Sequence, residues 1–206
     1  MKYGFLPFLM WFCYKGTFRK QLSLTLNESD RGKVMKSAHR KYKSILKDVD
    51  EFEKGDRFLI NILSCALLSS VLLSLEHKYS LEEIRAYYHN SMCTNLMTRI
   101  ASKKSRSYTE KGRAELKKQA EASQKNKNPY SWIFKVEDGK TINQYTATFY
   151  TCGICHLMEK LGLKEYIPAM CTLDYDMAEL NHTRFTRSCT LANGDNYCDC
   201  HYDHIG

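Results

Sequence analysis

The sequence predicts an α+β protein, with a helical region over residues 1–128 and a second region over residues 129–206 that holds an antiparallel sheet of about four strands and two short helices. Three observations lead to this prediction. Apolar residues recur at helical spacing in the first region, whereas β-rich runs surround turn signals after Pro129. Only 3 prolines and 10 glycines among 206 residues indicate long regular elements. We expect one domain, because one core typically serves about 100–200 residues.

Two signals place helices in the first region. Over residues 31–52, apolar side chains three and four positions apart form one stripe, which is typical of an amphipathic helix. Ser80-Leu-Glu-Glu83 has the form of a capping box, in which the serine and the glutamate each bind a backbone N–H group of the first turn. A helix is therefore predicted to start at Ser80.

An uncharged run lies between these two helices. Residues 58–75 are just long enough to approach a membrane span. However, the run contains Asn61 and four serines, and Arg57 and Glu76 bound it. We therefore predict a helix that is buried on all sides, and no membrane span.

The positive charge of the chain is local. Residues 99–127 hold ten Lys or Arg against three Glu, whereas residues 170–206 hold six acids against two arginines, although the net charge is +8. The basic segment is either a solvated helix or a mobile lid over an anionic ligand. Nucleic-acid binding is a third interpretation, but only Tyr108 could stack on a base. The sequence thus predicts no specific nucleic-acid partner.

The second region alternates between strand and helix signals. Asn193-Gly194 is a strong hairpin signal, because both residues tolerate positive φ. Gly162 is typical of a helix end and Pro168 of a helix start. In chain order we expect a hairpin over 132–136 and 145–151, helices over 152–162 and 168–180, and a hairpin over 183–192 and 197–204.

Cysteine usage predicts a reducing compartment. The chain has 9 cysteines, an odd number, and its apolar residues 4–13 lack a cleavage site of small residues. We therefore expect free thiols and a cytoplasmic protein. Six of the nine lie in the last 55 residues, namely Cys152, Cys155, Cys171, Cys189, Cys198 and Cys200.

Three residues of the second region suggest a reactive site. Cys171 and Asp174 are three positions apart on a predicted helix, so their side chains share a face. They form either a nucleophile with its acid–base partner or a buried thiol beside a solvated carboxylate. Arg187 is predicted in mid-strand among apolar neighbours, where it needs an anion. That anion is either Asp174 or the carboxylate of a substrate.

A metal site is the alternative chemistry. Cys152-Gly-Ile-Cys155-His156 has a C-x-x-C spacing, for which zinc binding, redox chemistry and packing all remain open. The later run from Cys198 to His204 supplies no familiar second ligand pair, because alternate residues of a strand point to opposite faces. The sequence therefore predicts no metal and no cofactor, with zinc as the alternative.

The second region also resembles a known family. The matching residues are Cys152-Gly-Ile-Cys155, Gly162-Leu163, Pro168-Ala-Met-Cys171-Thr-Leu-Asp174, and the most specific run, Arg187-Ser-Cys-Thr190-Leu-Ala-Asn-Gly194-Asp195-Asn-Tyr-Cys198-Asp199. This pattern resembles the L-2-amino-thiazoline-4-carboxylic acid hydrolase family. Cys200 is a departure, since an aromatic residue is expected after Cys-Asp.

The resemblance implies a hydrolase that attacks the C=N carbon of a small cyclic amidine with a carboxylate, and opens a thiazoline to an N-carbamoyl cysteine. We assign it to hydrolases of C–N bonds in cyclic amidines. Cys171 is the expected nucleophile, with Cys155 or Cys198 as rivals. Two pairs of residues complete the prediction: Asp174 or His156 to move protons, and Arg187 and Thr190 to hold the substrate.

Two alternatives to this cysteine mechanism remain open. A thiolate- and imidazole-bound zinc ion could activate water in the same reaction. A sensor-like module could bind a small molecule or a metal without turnover. The expected partner is a small carboxylate substrate, and a homo-oligomer is the other association that the long apolar helices allow.

Overall fold

The computed structural model describes residues 1–103 and 106–205, and these residues form eight α-helices and one sheet. The helices are α1 Phe5–Leu24, α2 Arg31–Lys47, α3 Leu59–Leu72, α4 Leu81–Cys93, α5 Leu96–Ser102, α6 Glu110–Ser123, α7 Gly153–Lys160 and α8 Ile167–Leu180. The strands are β1 Phe134–Asp138, β2 Gln144–Phe149, β3 Thr183–Thr186 and β4 Cys198–His204. The predicted α+β class is confirmed.

Helix α3 is the centre of the helical region. Eleven of its 14 residues are buried, and α1, α2 and α7 pack around it. Its polar side chains are satisfied inside the protein: Ser64 Oγ lies 2.7 Å from the Tyr88 hydroxyl of α4, and Ser70 donates to the Leu67 carbonyl over 2.7 Å. The buried-helix prediction is confirmed. Within the described part of the chain, no helix is both long and apolar enough to cross a membrane.

The sheet is antiparallel throughout, in the order β1-β2-β4-β3. In β2 and β4, Phe149 lies opposite Cys198, Ala147 opposite Cys200 and Tyr145 opposite Tyr202. Since alternate residues of a strand share a face, these six side chains point to the same side of the sheet. That side faces the helices, and α8 packs against β3 while α6 packs against β1.

The predicted second hairpin is wrong in its first strand. β3 ends at Thr186, so Arg187 follows the strand instead of lying in its middle. The chain leaves the sheet because Asp199 Oδ1 accepts the backbone N–H groups of Ser188, over 2.9 Å, and Cys189, over 2.6 Å. These bonds replace strand pairing. The eleven-residue connection of residues 187–197 then contains a 3-10 turn at Leu191–Asn193, and only Gly194 has a positive φ, of 93°.

The basic segment forms the end of α5 and all of α6, with turns between and after these helices. Helix α6 packs on the first hairpin, and residues 104 and 105 of the segment lie outside the described residues. Arg113 is buried and donates to Asp138, over 2.9 Å, and to the carbonyls of Gln144 and Ile142, over 3.0 and 2.8 Å. Lys117 also binds Asp138. Part of the positive charge therefore holds the hairpin in place.

Candidate active site

A cavity of about 270 Å³ lies between the helices and the inner face of the sheet. Its walls bring together four of the residues predicted from the sequence, namely Cys171, Asp174, Arg187 and Cys198. Helix α8 supplies the first two, because residues three positions apart share a face. β4 supplies Cys198, and the connection after β3 supplies Arg187.

Arg187 makes hydrogen bonds to two other residues of this group. Its Nη1 donates to Asp174 Oδ2 over 2.8 Å, and its Nη2 donates to the Cys171 carbonyl over 3.1 Å. The Arg187 side chain is 6% exposed, whereas that of Asp174 is 48% exposed. Asp174 lines this cavity and also a neighbouring hollow on the surface. Of the two partners left open for Arg187, the structure shows Asp174.

Burial and neighbouring charges shift the pKa values of the cavity residues in opposite directions. Burial raises the pKa of the Cys171 thiol to about 12, the nearby Asp174 raises it too, and Arg187 opposes both. Burial also raises the pKa of Asp174, against the effect of Arg187. Burial lowers the pKa of Arg187, but Asp174 and Cys171 raise it by a larger amount. The net shift is upward, so the guanidinium stays charged. Cys171 is therefore a neutral thiol at neutral pH, and needs a base before it can attack.

Three more thiols line the cavity. Cys198 Sγ accepts the Leu191 N–H over 3.2 Å, which lowers the pKa of this thiol against the larger raising effect of burial. Cys200 is buried at the position where an aromatic residue was expected, and burial and Asp174 raise its pKa to about 12. Cys152, before the first turn of α7, is close enough to the Cys155 thiol for that group to raise its pKa.

Aromatic rings form another part of the cavity wall. Phe58, just before α3, stacks on Trp132 with ring centroids 4.7 Å apart and meets Phe134 edge-on at 5.3 Å. Phe149 of β2 stacks on Phe134 at 5.5 Å. Sequence reasoning missed this wall, although Tyr145, Ala147 and Phe149 alternate along β2 as cavity-facing residues should. Such a wall suits a flat, small ring.

Arg57 is an exposed cation at the cavity, and it was missed as a site residue. It lines the cavity and the adjacent hollows on the surface. It donates one long hydrogen bond, of 3.4 Å, to Gln119, and its guanidinium lies 5.8 Å from the Phe58 ring. An accessible guanidinium beside an aromatic wall is suited to bind a carboxylate.

Three predicted site residues do not line the cavity. His156 is exposed, and its ring meets Tyr130 edge-on at 4.8 Å. Cys155 packs behind Cys152 in the helical core. Thr190 supports the connection before β4: its Oγ1 accepts the Asn193 N–H over 3.1 Å.

The comparisons with known proteins add a family. No curated protein matches the chain. The model of the family described as L-2-amino-thiazoline-4-carboxylic acid hydrolase matches residues 61–202. The match runs from α3 to β4 and so contains Cys171, Asp174, Arg187 and Cys198. Because it covers more than half of the chain, the protein belongs to the L-2-amino-thiazoline-4-carboxylic acid hydrolase family.

Proposed function

We propose that this protein hydrolyses 2-amino-thiazoline-4-carboxylate, or a closely related cyclic amidine, by attack of Cys171 on the C=N carbon. One observation carries the proposal: Cys171, Asp174 and Arg187 converge on a cavity that aromatic rings also line. The cavity volume of about 270 Å³ is below the range of about 300–1,000 Å³ for drug-sized ligands, which favours a small substrate.

The proposed reaction starts with proton transfer. Asp174 accepts the thiol proton of Cys171 as the sulfur attacks C2 of the thiazoline. The tetrahedral adduct then breaks its bond between C2 and the ring sulfur, and Asp174 returns the proton to that sulfur. Water next attacks the same carbon, and Cys171 departs as a thiol. The net reaction adds one water and yields an N-carbamoyl cysteine.

The atom balance identifies the bond that breaks. An N-carbamoyl cysteine keeps both nitrogens of the aminothiazoline, so the cleaved bond joins carbon to sulfur. This favours C–S cleavage over the C–N cleavage that was predicted from the sequence. The reaction therefore releases a thiol and no ammonia.

Product analysis tests the proposed function. We expect the purified protein to convert L-2-amino-thiazoline-4-carboxylate with one new thiol per substrate consumed, measured with a thiol reagent in parallel with an ammonia assay. The thiazoline without its amino group is the control substrate. Ammonia release in place of thiol would contradict the proposed bond. Saturable binding of L-2-amino-thiazoline-4-carboxylate without turnover would contradict the proposed hydrolase activity and favour the sensor-like module.

We also propose that Arg57 holds the substrate carboxylate, while Arg187 positions Asp174. Both Nη groups of Arg187 are already engaged, whereas Arg57 is exposed at the cavity. Hydrogen bonds to charged groups contribute about 1.5–3 kcal/mol, and each 1.4 kcal/mol is about tenfold in affinity. Arg57→Ala should therefore raise KM by about 10–100-fold and leave kcat nearly unchanged.

Lys54→Ala is the matched control for Arg57→Ala, because Lys54 is an exposed cation in the same loop and does not line the cavity. We expect its KM to change less than about twofold, since exposed charges act weakly through solvent. Arg187→Lys should lower kcat instead, because a lysine cannot hold both Asp174 and the Cys171 carbonyl. An unchanged KM in Arg57→Ala would overturn the assigned role.

A further inference from the structure

A second cluster of reactive side chains lies on the other face of α8. Asp174 faces the cavity, but Asp176 is two positions further along the helix and therefore points about 200° away. There it meets α4, where His89 and Cys93 are one turn apart and share a face. The cluster is thus built from two packed helices and is separate from the cavity.

The donor atoms of this cluster converge. His89 Nδ1 lies 2.9 Å from Asp176 Oδ2 and 3.7 Å from Cys93 Sγ, and the three donor atoms all lie within 4.8 Å of one another. A tetrahedral zinc ion, with bonds of about 2.0–2.3 Å, separates its ligand atoms by roughly 3.3–3.8 Å. Small side-chain movements therefore bring the three atoms to zinc geometry.

The same geometry argues against a second nucleophile. In a cysteine–histidine–aspartate triad, one ring nitrogen faces the thiol and the other faces the carboxylate. Here both Cys93 and Asp176 face Nδ1 of His89. The imidazole cannot relay a proton between them through its two nitrogens, whereas one cation can contact all three groups.

The charges of the cluster also favour a cation. Asp176 places a carboxylate beside the Cys93 thiol, and Glu179 follows one turn further along α8. A divalent ion would offset these negative charges and stabilise the thiolate. Among the described residues, no other group of three or more His, Cys, Asp or Glu donor atoms is as close together.

We propose that His89, Cys93 and Asp176 bind a zinc ion that joins α4 to α8. One nitrogen, one sulfur and one oxygen are ligands that Zn²⁺ accepts, and a water molecule would fill the fourth position. Because α8 also carries Cys171 and Asp174, the ion would hold the helix from the side opposite the cavity. The site does not depend on the proposed function.

Metal titration of the tag-free protein tests this proposal. With Co²⁺ as the probe, we expect one equivalent to bind with a thiolate-to-cobalt charge-transfer absorption, and Zn²⁺ to displace it. His89→Ala, Cys93→Ser and Asp176→Asn should each weaken Zn²⁺ binding by more than about 10–100-fold, which is the cost of losing even an outer-shell partner. The matched control is Cys13→Ser, a half-buried cysteine on α1, which should bind as the wild type does.

The cavity thiols provide the competing explanation. If Cys198→Ser and Cys152→Ser abolish the charge-transfer band while Cys93→Ser retains it, the metal binds in the cavity and the proposal is overturned. Absence of stoichiometric binding at neutral pH would overturn it too. As a second measurement, Zn²⁺ should raise the Tm of the wild type and not that of His89→Ala, because a ligand stabilises the state that binds it.

Discussion

Replacing Cys171 by serine is expected to lower kcat/KM for the thiazoline by about 10³-fold or more, with the fold unchanged. A serine hydroxyl is far less acidic than a thiol, and so Asp174 cannot turn it into a nucleophile of similar strength. The exchange keeps the size of a half-buried side chain, and we therefore expect the Tm to move by only a few degrees. Single-turnover kinetics and circular dichroism provide the two measurements.

The rival thiols provide the comparison for Cys171→Ser. Cys198→Ser and Cys200→Ser alter the same cavity, and each should cost less than about tenfold because the proposed mechanism uses neither sulfur as the nucleophile. Acid quenching during turnover, followed by peptide mass analysis, should find the substrate adduct on the peptide that contains Cys171. An adduct on Cys198, together with an active Cys171→Ser variant, would transfer the nucleophile assignment to Cys198.

Asp174→Asn is expected to have the second largest effect, a loss of about 10²–10⁴-fold in kcat, which is the usual contribution of general acid–base catalysis. The amide cannot accept the Cys171 proton, but it preserves the shape and can still accept a hydrogen bond from Arg187. KM should therefore change little. Asp50→Asn, which removes a carboxylate in the exposed loop after α2, is the charge control and should keep wild-type kinetics.

The pH profile separates this catalytic role from a structural one. In the wild type, activity should fall as the pH drops through the pKa of Asp174, which burial raises above its usual value, because the protonated carboxyl cannot act as a base. In the wild type the rate should level off above that pKa, whereas in Asp174→Asn this plateau should be lost. The residual rate should instead keep rising about tenfold per pH unit through neutral pH, as the thiolate fraction of Cys171 grows, because burial still raises the pKa of this thiol. A variant profile with the wild-type plateau would contradict the assignment of Asp174 as the base.

The sequence allowed the prediction of elements whose causes are local. The capping box at α4 forms as expected, with Glu83 accepting the Ser80 N–H over 2.8 Å and Ser80 accepting the Glu83 N–H over 3.3 Å. The second hairpin was mispredicted because its first strand is ended by Asp199, a residue of the strand that pairs with it. Such a side-chain bond depends on the tertiary fold, and no turn signal reveals it.

The candidate site also contains residues that could be predicted from local patterns and residues that only the tertiary fold brings in. Cys171 and Asp174 could be paired from their spacing on one helix. Arg187 was singled out as a buried arginine that needs an anion, although its mid-strand position was wrong. The family resemblance added Cys198. Arg57 and Phe58 could not be predicted, since they come from the loop before α3, more than 100 residues before Cys171 in the chain. Only packing of the helical region on the sheet brings them to the cavity.

The stack of Phe58 on Trp132 joins two parts of the chain that are far apart in the sequence. A cut after residue 128 would leave Arg57 and Phe58 in one fragment and Cys171, Asp174 and Arg187 in the other. Neither fragment alone would then contain all the residues that line the cavity. Recovery of turnover on mixing the two pieces would report their reassociation directly. With the proposed activity, the protein would therefore serve as a split reporter whose signal is the release of a thiol.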